Sequence, residues 1–181
     1  DTVVSDVGST KQSALAAFAE HLPQHLPQCV AAHPIAGSDR SGALAAQFGL
    51  YQDKKLILCP HETQNPEAGA LVGRLWQAVG AQIFRMSAQE HDAVFAAVSH
   101  LPHILAFAYV HQILDHADGA TYLDFAATGF RDFTRIASSH PAIWTDICFA
   151  NRDSLLKLLE GQQRQLEKIA GLLRNGDSDG L

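Results

Sequence analysis

The segment AAHPIAGSDRSG (31–42) places a histidine where an apolar run meets a Gly-containing polar loop. The run CVAAH (29–33) is typical of a buried strand, so His33 falls at the carboxyl end of that strand. Ligands of open parallel sheets bind at this edge. Imidazole titrates near neutral pH, which makes His33 a candidate general base. The alternative is a hydrogen-bonded structural histidine.

A second candidate segment, DVGSTK (6–11), follows the β-rich run TVVS (2–5). Ser9 and Lys11 are expected at the same edge of the sheet, after a glycine that permits a tight turn. Ser9 could equally be the N-cap of the helix that follows. Taken alone, this segment favours the N-cap interpretation.

VSHLPH (98–103) lies in the second half of the chain, around Pro102. A proline should kink or split a long helix there and turn Ser99 and His103 towards an adjoining cleft. Metal binding is the alternative, with four histidines as possible ligands: His100, His103, His111 and His116. No carboxylate or cysteine completes an obvious ligand set, so we expect a substrate site and no metal.

GFRDFTRIASSHPAIW (129–144) contains Arg131 and Arg135 four residues apart, with Asp132 between them. Arginine forms bidentate contacts with carboxylates. In an acidic chain, this pair indicates an anion site. The alternative is a solvated helix face with an Arg–Asp pair, which is common and weak.

The elements that position these residues differ between the two halves. Four strands are predicted: 2–5, 29–33, 55–59 and 81–85. They alternate with helices or loops, which favours a parallel α/β layer. One of the helices, 66–80, is expected to bury Leu71, Leu75 and Val79.

From Ser87 onwards the pattern is helical. SAQE (87–90) is a capping box, and the apolar helix that it starts should run to about residue 117 with a break at Pro102. Pro141 should begin another helix, and 153–174 is strongly amphipathic. Its apolar stripe, together with the long apolar helix, predicts a dimer. The alternative is a compact monomeric bundle.

The composition narrows the function classes. The chain has 181 residues, 47% of them hydrophobic and 18% charged, which predicts a packed fold. A net charge of −6 makes nucleic-acid binding an unfavoured interpretation. We expect no apolar run of membrane-spanning length. Three cysteines without a CxxC pair favour reduced thiols in the cytoplasm.

Read in chain order, DVGSTK, HPIAG, EHD (90–92), SHLPH and GFRDFTRIASSHPAIW resemble the prephenate/arogenate dehydrogenases of tyrosine biosynthesis. The resemblance implies the C-terminal part of a Rossmann-type α/β domain (1–86), followed by an all-α dimerisation and substrate-binding domain (87–181). It also implies oxidative decarboxylation of prephenate to 4-hydroxyphenylpyruvate, or of arogenate to tyrosine, with NAD or NADP as hydride acceptor. A cytoplasmic homodimer that binds neither membrane nor nucleic acid is expected, with possible tyrosine feedback at the active site.

The resemblance assigns roles to individual residues. His33 would take the proton of the ring hydroxyl, and Arg135 would hold a substrate carboxylate. The other site residues would be Ser9 at the hydroxyl and the cofactor, Ser99 and His103 in the pocket, Asp132 beside the arginine, Trp144 at the border from this chain or its partner, and Asp39 at the mouth.

Two features of this family are absent from the sequence: the GxGxxG phosphate turn and the first strand of the Rossmann fold. We expect them upstream of Asp1, so this chain alone should bind nucleotide poorly. Two other functions stay open. A hydroxyacid dehydrogenase of similar architecture would typically use a helix-borne lysine where this chain has SHLPH. A non-catalytic dimerisation or tyrosine-binding module would need no base.

Overall fold

Four short strands form one sheet in the order β1-β2-β3-β4. They are β1 Val4–Ser5, β2 Cys29–Pro34, β3 Lys55–Cys59 and β4 Gln82–Arg85. The computed structural model describes residues 2–37 and 42–181. All four strands lie within a residue or two of their predicted places, and the mixture of strands and helices confirms the predicted class of fold.

The sheet is mixed, because β2 runs antiparallel to β3 whereas β1–β2 and β3–β4 are parallel pairs. The prediction of a wholly parallel layer is therefore wrong at β2–β3. A parallel crossover usually needs a full helix. The described part of the link from β2 to β3 contains one three-residue helical turn, Ala43–Ala45.

Helix α1, Lys11–His21, follows β1, and α2, Pro66–Ala78, precedes β4. Asn65 caps α2 by accepting the Glu67 N–H at 3.0 Å. The sheet and α2 share an apolar core: Val30, Ala32, Leu56, Leu58, Ala68, Val72 and Ala81.

The buried face of α2 differs from the prediction. Leu71, Leu75 and Val79 are 49%, 65% and 47% exposed. The buried positions are instead small or β-branched: Ala68, Gly69, Val72 and Gly73. Small residues allow the helix to approach the sheet closely. A Cβ at Gly73 would already contact Leu58 Cδ1 at 3.9 Å.

The long helical run of the second half begins with α3, Ala88–Phe95. Ser87 Oγ accepts the Glu90 N–H at 3.1 Å, which confirms that half of the capping box. A wide π-helical turn, Ala96–His100, separates α3 from α4, Leu101–Leu114. The break lies just before Pro102 as predicted, because proline has no N–H to continue the ladder.

This run, Ala88–Leu114, is long and apolar enough to cross a membrane by length and composition alone. The expectation that no apolar run reaches that length is therefore wrong. The most apolar window of the run is 17% buried in the single chain. One such helix is weak evidence for a membrane span, because a core helix of a globular protein passes the same test.

Four further helices complete the chain: α5 Gly119–Asp124, α6 Thr128–Thr134, α7 Pro141–Ala150 and α8 Arg152–Asn175. Pro141 begins α7, as predicted. Helix α8 buries Leu155 but exposes Leu166, Ile169 and Leu173. An apolar row on an otherwise charged helix is typical of an interface.

The chain divides into two compact units. The sheet unit consists of Asp1–Val94 with Ser138–Ala150, and the helical unit of Phe95–Ala137 with Asn151–Leu181. Each unit contains part of the predicted site.

Candidate active site

In the sheet unit, the turn after β1 is held by an ion pair between a buried lysine and a partly exposed aspartate. Asp6 accepts the N–H groups of Gly8 and Ala32, each at 2.9 Å, and pairs with the ammonium of Lys11. Lys11 is fully buried and also donates to the Ala32 carbonyl at 2.6 Å. The polar groups of this turn therefore bind one another and fix β1 against β2.

Ser9 is not the N-cap of α1, so that alternative is wrong. The cap position belongs to Thr10, whose extended backbone (φ −127°) precedes the first helical residue. The Thr10 hydroxyl lies 2.6 Å from Ser13 Oγ and makes no capping bond to the backbone. Ser9 is half-buried at the end of the turn.

The N-terminus of α1 is capped from a distant part of the chain. Asp92, on α3, accepts the Lys11 N–H at 2.7 Å and the Gln12 N–H at 3.0 Å. The Gln12 side-chain amide donates to the same carboxylate at 3.2 Å. Two of the helix's four unpaired N–H groups are thus satisfied by an anion, which the helix dipole also favours.

His33 lies at the end of β2, where it pairs with Ile57 of β3. Its Nδ1 atom is 2.8 Å from Nε2 of His91, and the two rings meet edge-on with centroids 5.0 Å apart. His91 is fully buried, and its Nδ1 atom is 2.8 Å from Oδ1 of Asp92. A continuous chain of hydrogen bonds therefore joins His33 to the carboxylate that caps α1.

The carboxyl group of Asp92 is ionised at neutral pH. Burial by itself would raise its pKa. The hydrogen bonds from His91 and from Lys11 and Gln12 outweigh that effect and hold the pKa below the usual value of 3.8.

His91 and Asp92 were not predicted as site residues; they appear only in the EHD segment (90–92) of the family resemblance. The available signal was a His-Asp pair in the first turns of a predicted helix. Their partners lie 58 residues away in the case of His33 and 81 in the case of Lys11. Contacts over that separation do not follow from a single sequence.

In the helical unit, His103 follows the π-helical turn and is half-buried. Its Nδ1–H donates to the Ser99 carbonyl at 2.9 Å. Burial, followed by the positive charge of Arg135, lowers the pKa of His103 against the opposing effect of that hydrogen bond. At neutral pH His103 is therefore a neutral imidazole with its lone pair on Nε2.

Arg135 is exposed and begins a short helical turn, Arg135–Ser138, directly after α6. The positive charge of Arg135 acts on the pKa of His103, which indicates that these two predicted substrate residues belong to the same region of the helical unit. Asp132 is exposed on α6. Among the described residues no ion pair joins Asp132 to Arg135.

His100 is buried and accepts from Asn151 Nδ2 at 3.3 Å, which ties the π-helical turn to the start of α8. No group of three or more His, Cys, Asp or Glu residues within 2–37 and 42–181 is placed to hold a metal ion. Three of the four histidines considered as metal ligands have other partners: His100 binds Asn151, His103 binds Ser99, and His116 Nδ1 accepts the Asp118 N–H at 3.1 Å.

The predicted site residues are divided between the units. Ser9, His33 and the half-buried Trp144 belong to the sheet unit, and Ser99, His103, Asp132 and Arg135 belong to the helical unit. Asp39 lies outside the described residues.

The fold, a Rossmann-like part followed by a helical domain, is that of a dehydrogenase with a helical dimerisation domain. Family models cover both halves. "Prephenate dehydrogenase, nucleotide-binding domain" matches residues 1–85, and "Prephenate dehydrogenase, dimerization domain" matches residues 87–181. The chain belongs to the prephenate dehydrogenase family.

Curated relatives agree with this assignment. Prephenate dehydrogenase of Bacillus subtilis is 38% identical over the whole chain, which spans 49% of that relative. Cyclohexadienyl dehydrogenase of Zymomonas mobilis is 33% identical, and the chain spans 62% of it. The chain therefore corresponds to about half to three-fifths of the length of these relatives.

Solved structures show the same fold. Prephenate dehydrogenase from Aquifex aeolicus, in complex with hydroxyphenyl propionate and NAD+, matches with a TM-score of 0.89 and 35% identity. The match covers 99% of this chain and 62% of that one. Synechocystis arogenate dehydrogenase matches with a TM-score of 0.79 and 28% identity, over 98% of this chain and 64% of that one.

Proposed function

We propose that the protein oxidatively decarboxylates prephenate, arogenate or both in tyrosine biosynthesis, with NAD or NADP as hydride acceptor. The observation that carries this proposal is His33, an imidazole at the carboxyl end of β2 in a chain whose two halves match the two domains of this family. The names of the relatives, and the NAD+ and hydroxyphenyl propionate bound to the A. aeolicus enzyme, support the substrate class and the cofactor.

In this mechanism His33 is the general base. It accepts the proton of the ring hydroxyl while the hydrogen on the same carbon leaves as hydride. The bond to the ring carboxylate then breaks, carbon dioxide leaves, and the electron pair of that bond completes the aromatic ring. The proton held by His33 returns to the oxygen, which becomes the phenol. Aromatisation drives the step, so positioning and one base suffice.

Only part of a dinucleotide site is present in this chain. The GxGxxG turn is absent from the sequence. In the turn after β1, Asp6 already accepts from Gly8 and Ala32 and pairs with Lys11, so that turn does not form a phosphate cradle. Ser9, at the end of this turn, is the one contact that we propose towards the cofactor and the substrate hydroxyl.

The helical unit supplies the proposed substrate clamp. Arg135 holds a substrate carboxylate through its planar guanidinium. His103, neutral beside that cation, accepts a hydrogen bond at Nε2. Ser99 lines the same pocket. Asp132 and Trp144 are proposed to support its border, and Asp39 its mouth.

We also propose a cytoplasmic homodimer whose tyrosine feedback acts at the active site. The family's dimerisation domain and the exposed apolar row on α8, Leu166, Ile169 and Leu173, support the dimer. The same assembly would cover the apolar run Ala88–Leu114 without a membrane. The net charge of −6 supports the absence of a nucleic-acid partner.

The test is to assay the full-length protein with prephenate, arogenate and simple 2-hydroxyacids, each with NAD and with NADP. We expect reduced nucleotide and carbon dioxide in equal amounts from prephenate, arogenate or both. Turnover of hydroxyacids alone would favour the second kind of dehydrogenase. No turnover of any substrate would favour a non-catalytic module. Either result would overturn the proposal.

His33→Asn should lower kcat by about 10²- to 10⁴-fold with little change in substrate affinity, because it removes a general base. His61→Asn is a matched control. That imidazole lies in the same unit but binds the Cys29 carbonyl at 3.1 Å, and it has no proposed role. A normal kcat for His33→Asn would make His33 a structural residue.

A further inference from the structure

We propose that His91 and Asp92 are positioning residues for the base: they keep the proton of neutral His33 on Nδ1 and so leave the lone pair on Nε2 for the substrate hydroxyl. This inference rests on the proposed function of His33. It concerns residues that neither touch the reacting atoms nor belong to the predicted site.

The geometry is a linear series of three side chains from two elements. His33 Nδ1 on β2 lies 2.8 Å from His91 Nε2 on α3, and His91 Nδ1 lies 2.8 Å from Asp92 Oδ1. Both distances are those of well-formed hydrogen bonds. His91 and Asp92 are 0% and 1% exposed, so water does not compete for these bonds.

The direction of each bond follows from the carboxylate. An ionised carboxylate only accepts hydrogen bonds, so His91 must donate from Nδ1. A neutral His91 with its proton on Nδ1 has a lone pair on Nε2 and can only accept there. His33 must then donate from Nδ1, which places its own lone pair on Nε2. A His91 protonated on both nitrogens would reverse this last bond and remove the base.

The carboxylate is itself held in place by the first turn of α1. It accepts from the backbone of Lys11 and Gln12 and from the Gln12 side chain, which fixes both oxygens. Other charged groups in this region are the Lys11 ammonium and the carboxylates of Asp6 and Glu90. Helix α1 begins at Lys11, two residues after Ser9. The Asp92 carboxylate therefore helps to position both Ser9, through the start of α1, and His33, through His91.

The same hydrogen bonds also stabilise His33 after it has become protonated. When His33 accepts the substrate proton at Nε2, it still donates from Nδ1 to His91. The positive charge then faces a neutral acceptor that is backed by an anion. No bond has to reverse during the reaction, so the base gains its proton without reorganising the buried side chains.

The first experiment reads the proton positions directly and needs no catalysis. Imidazole ¹⁵N NMR of histidine-labelled full-length protein reports which nitrogen of each neutral ring carries hydrogen, and the His33→Asn and His91→Gln spectra assign the signals. We expect protonated Nδ1 and unprotonated Nε2 in both His33 and His91. A neutral His33 with its proton on Nε2 would overturn the proposal, whatever the activity.

The second experiment compares two substitutions at position 91. His91→Leu removes the acceptor, and kcat should fall by about 10- to 100-fold, the effect of one hydrogen bond to a charged group. His91→Gln can present an amide oxygen near the position of Nε2 and should recover most of that loss. The control is His61→Leu, which removes a half-buried imidazole that is not part of the hydrogen-bond series and should leave kcat unchanged.

These outcomes separate the inference from the proposed function. If the full-length protein turns over neither prephenate nor arogenate but His33 is protonated on Nδ1, the function fails and the hydrogen-bond series stands. A His91→Leu protein with wild-type kcat, or a His91→Gln protein no better than His91→Leu, overturns the positioning role. If His91→Leu does not fold, the wild-type NMR spectrum still decides.

Discussion

Asp92→Asn tests how much one buried carboxylate contributes to the fold. The Asp92 carboxylate accepts hydrogen bonds at both oxygens. Oδ1 accepts from the Lys11 N–H and from His91, and Oδ2 accepts from the backbone and the side chain of Gln12. Asparagine has one acceptor oxygen. The less costly orientation places its NH2 group at Oδ2, because the Gln12 side chain can turn its own oxygen to meet it. The Gln12 N–H is then left unpaired.

The expected loss of stability is the sum of the interactions that asparagine cannot make. A buried unpaired N–H costs about 1–3 kcal/mol. The two bonds that remain at Oδ1 lose the assistance of the charge, and the helix N-terminus loses an anion that contributes about 0.3–1 kcal/mol. We expect the free energy of unfolding to fall by roughly 3 kcal/mol, which corresponds to a Tm lower by about 6–12 °C in a domain of this size.

The effect should depend on pH in a defined direction. The folded pKa of Asp92 lies below 3.8, so its contribution to stability is complete above that pH and is lost as the pH falls through the folded pKa. Thermal melts of the full-length protein should therefore differ at pH 7 and converge in acid. Hydrogen exchange at pH 7 should show faster exchange of the Lys11 and Gln12 amides in the variant.

Asp153→Asn is the matched control, because Asp153 is exposed and pairs with Arg152 at 3.3 Å on the surface. Such pairs contribute about 0–1 kcal/mol. If Asp92→Asn and Asp153→Asn give the same small change in Tm, or if amide exchange at the start of α1 is unaltered, Asp92 does not cap this helix and the argument is wrong.

Two further predictions concern the helical unit. Arg135→Gln in the full-length protein should raise KM for the substrate about 10- to 100-fold with a smaller change in kcat. Arg135→Lys should recover only part of the lost affinity, because lysine keeps the charge but loses the planar fork. An unchanged KM would remove Arg135 from the site. The double variant Leu166→Asp with Leu173→Asp should sediment as a monomer and no longer as a dimer. The control, Leu71→Asp with Leu75→Asp on the exposed face of α2, should remain a dimer. The reverse result would place the interface on the sheet unit.

Local patterns predicted the elements well. The strand KLILC, the start of α7 at Pro141 and the break before Pro102 all depend on residues close in sequence, and the structure shows each of them. The prediction of which face of α2 is buried was wrong, because leucines at helical spacing do not show which side of the helix packs on the sheet. The choice of Ala68, Gly69, Val72 and Gly73 depends on how closely the sheet lies, which is a tertiary property.

The antiparallel β2–β3 pair was missed for a similar reason. The strand pattern of β3 is the same for either direction of pairing, and only the route of the link from β2 decides between them. The site showed the same division. Motif resemblance predicted roles for His33, His103 and Arg135, which stay predictions. The buried partners of His33 became visible only when distant segments were brought together.

There is a physical reason why motifs show the residues that contact substrate but not the residues that orient them. A residue that meets substrate must have a particular chemistry at a particular place, so its type remains visible in a motif. A residue that orients another needs only to present a donor or acceptor in a buried position. Asp92, on α3, presents such an acceptor: its carboxylate caps α1 and at the same time binds His91. Stability of the first turn of α1 and the proton position on His33 are thus coupled through one side chain, so Asp92→Asn should alter the ¹⁵N signals of His33 as well as the exchange of the Lys11 amide.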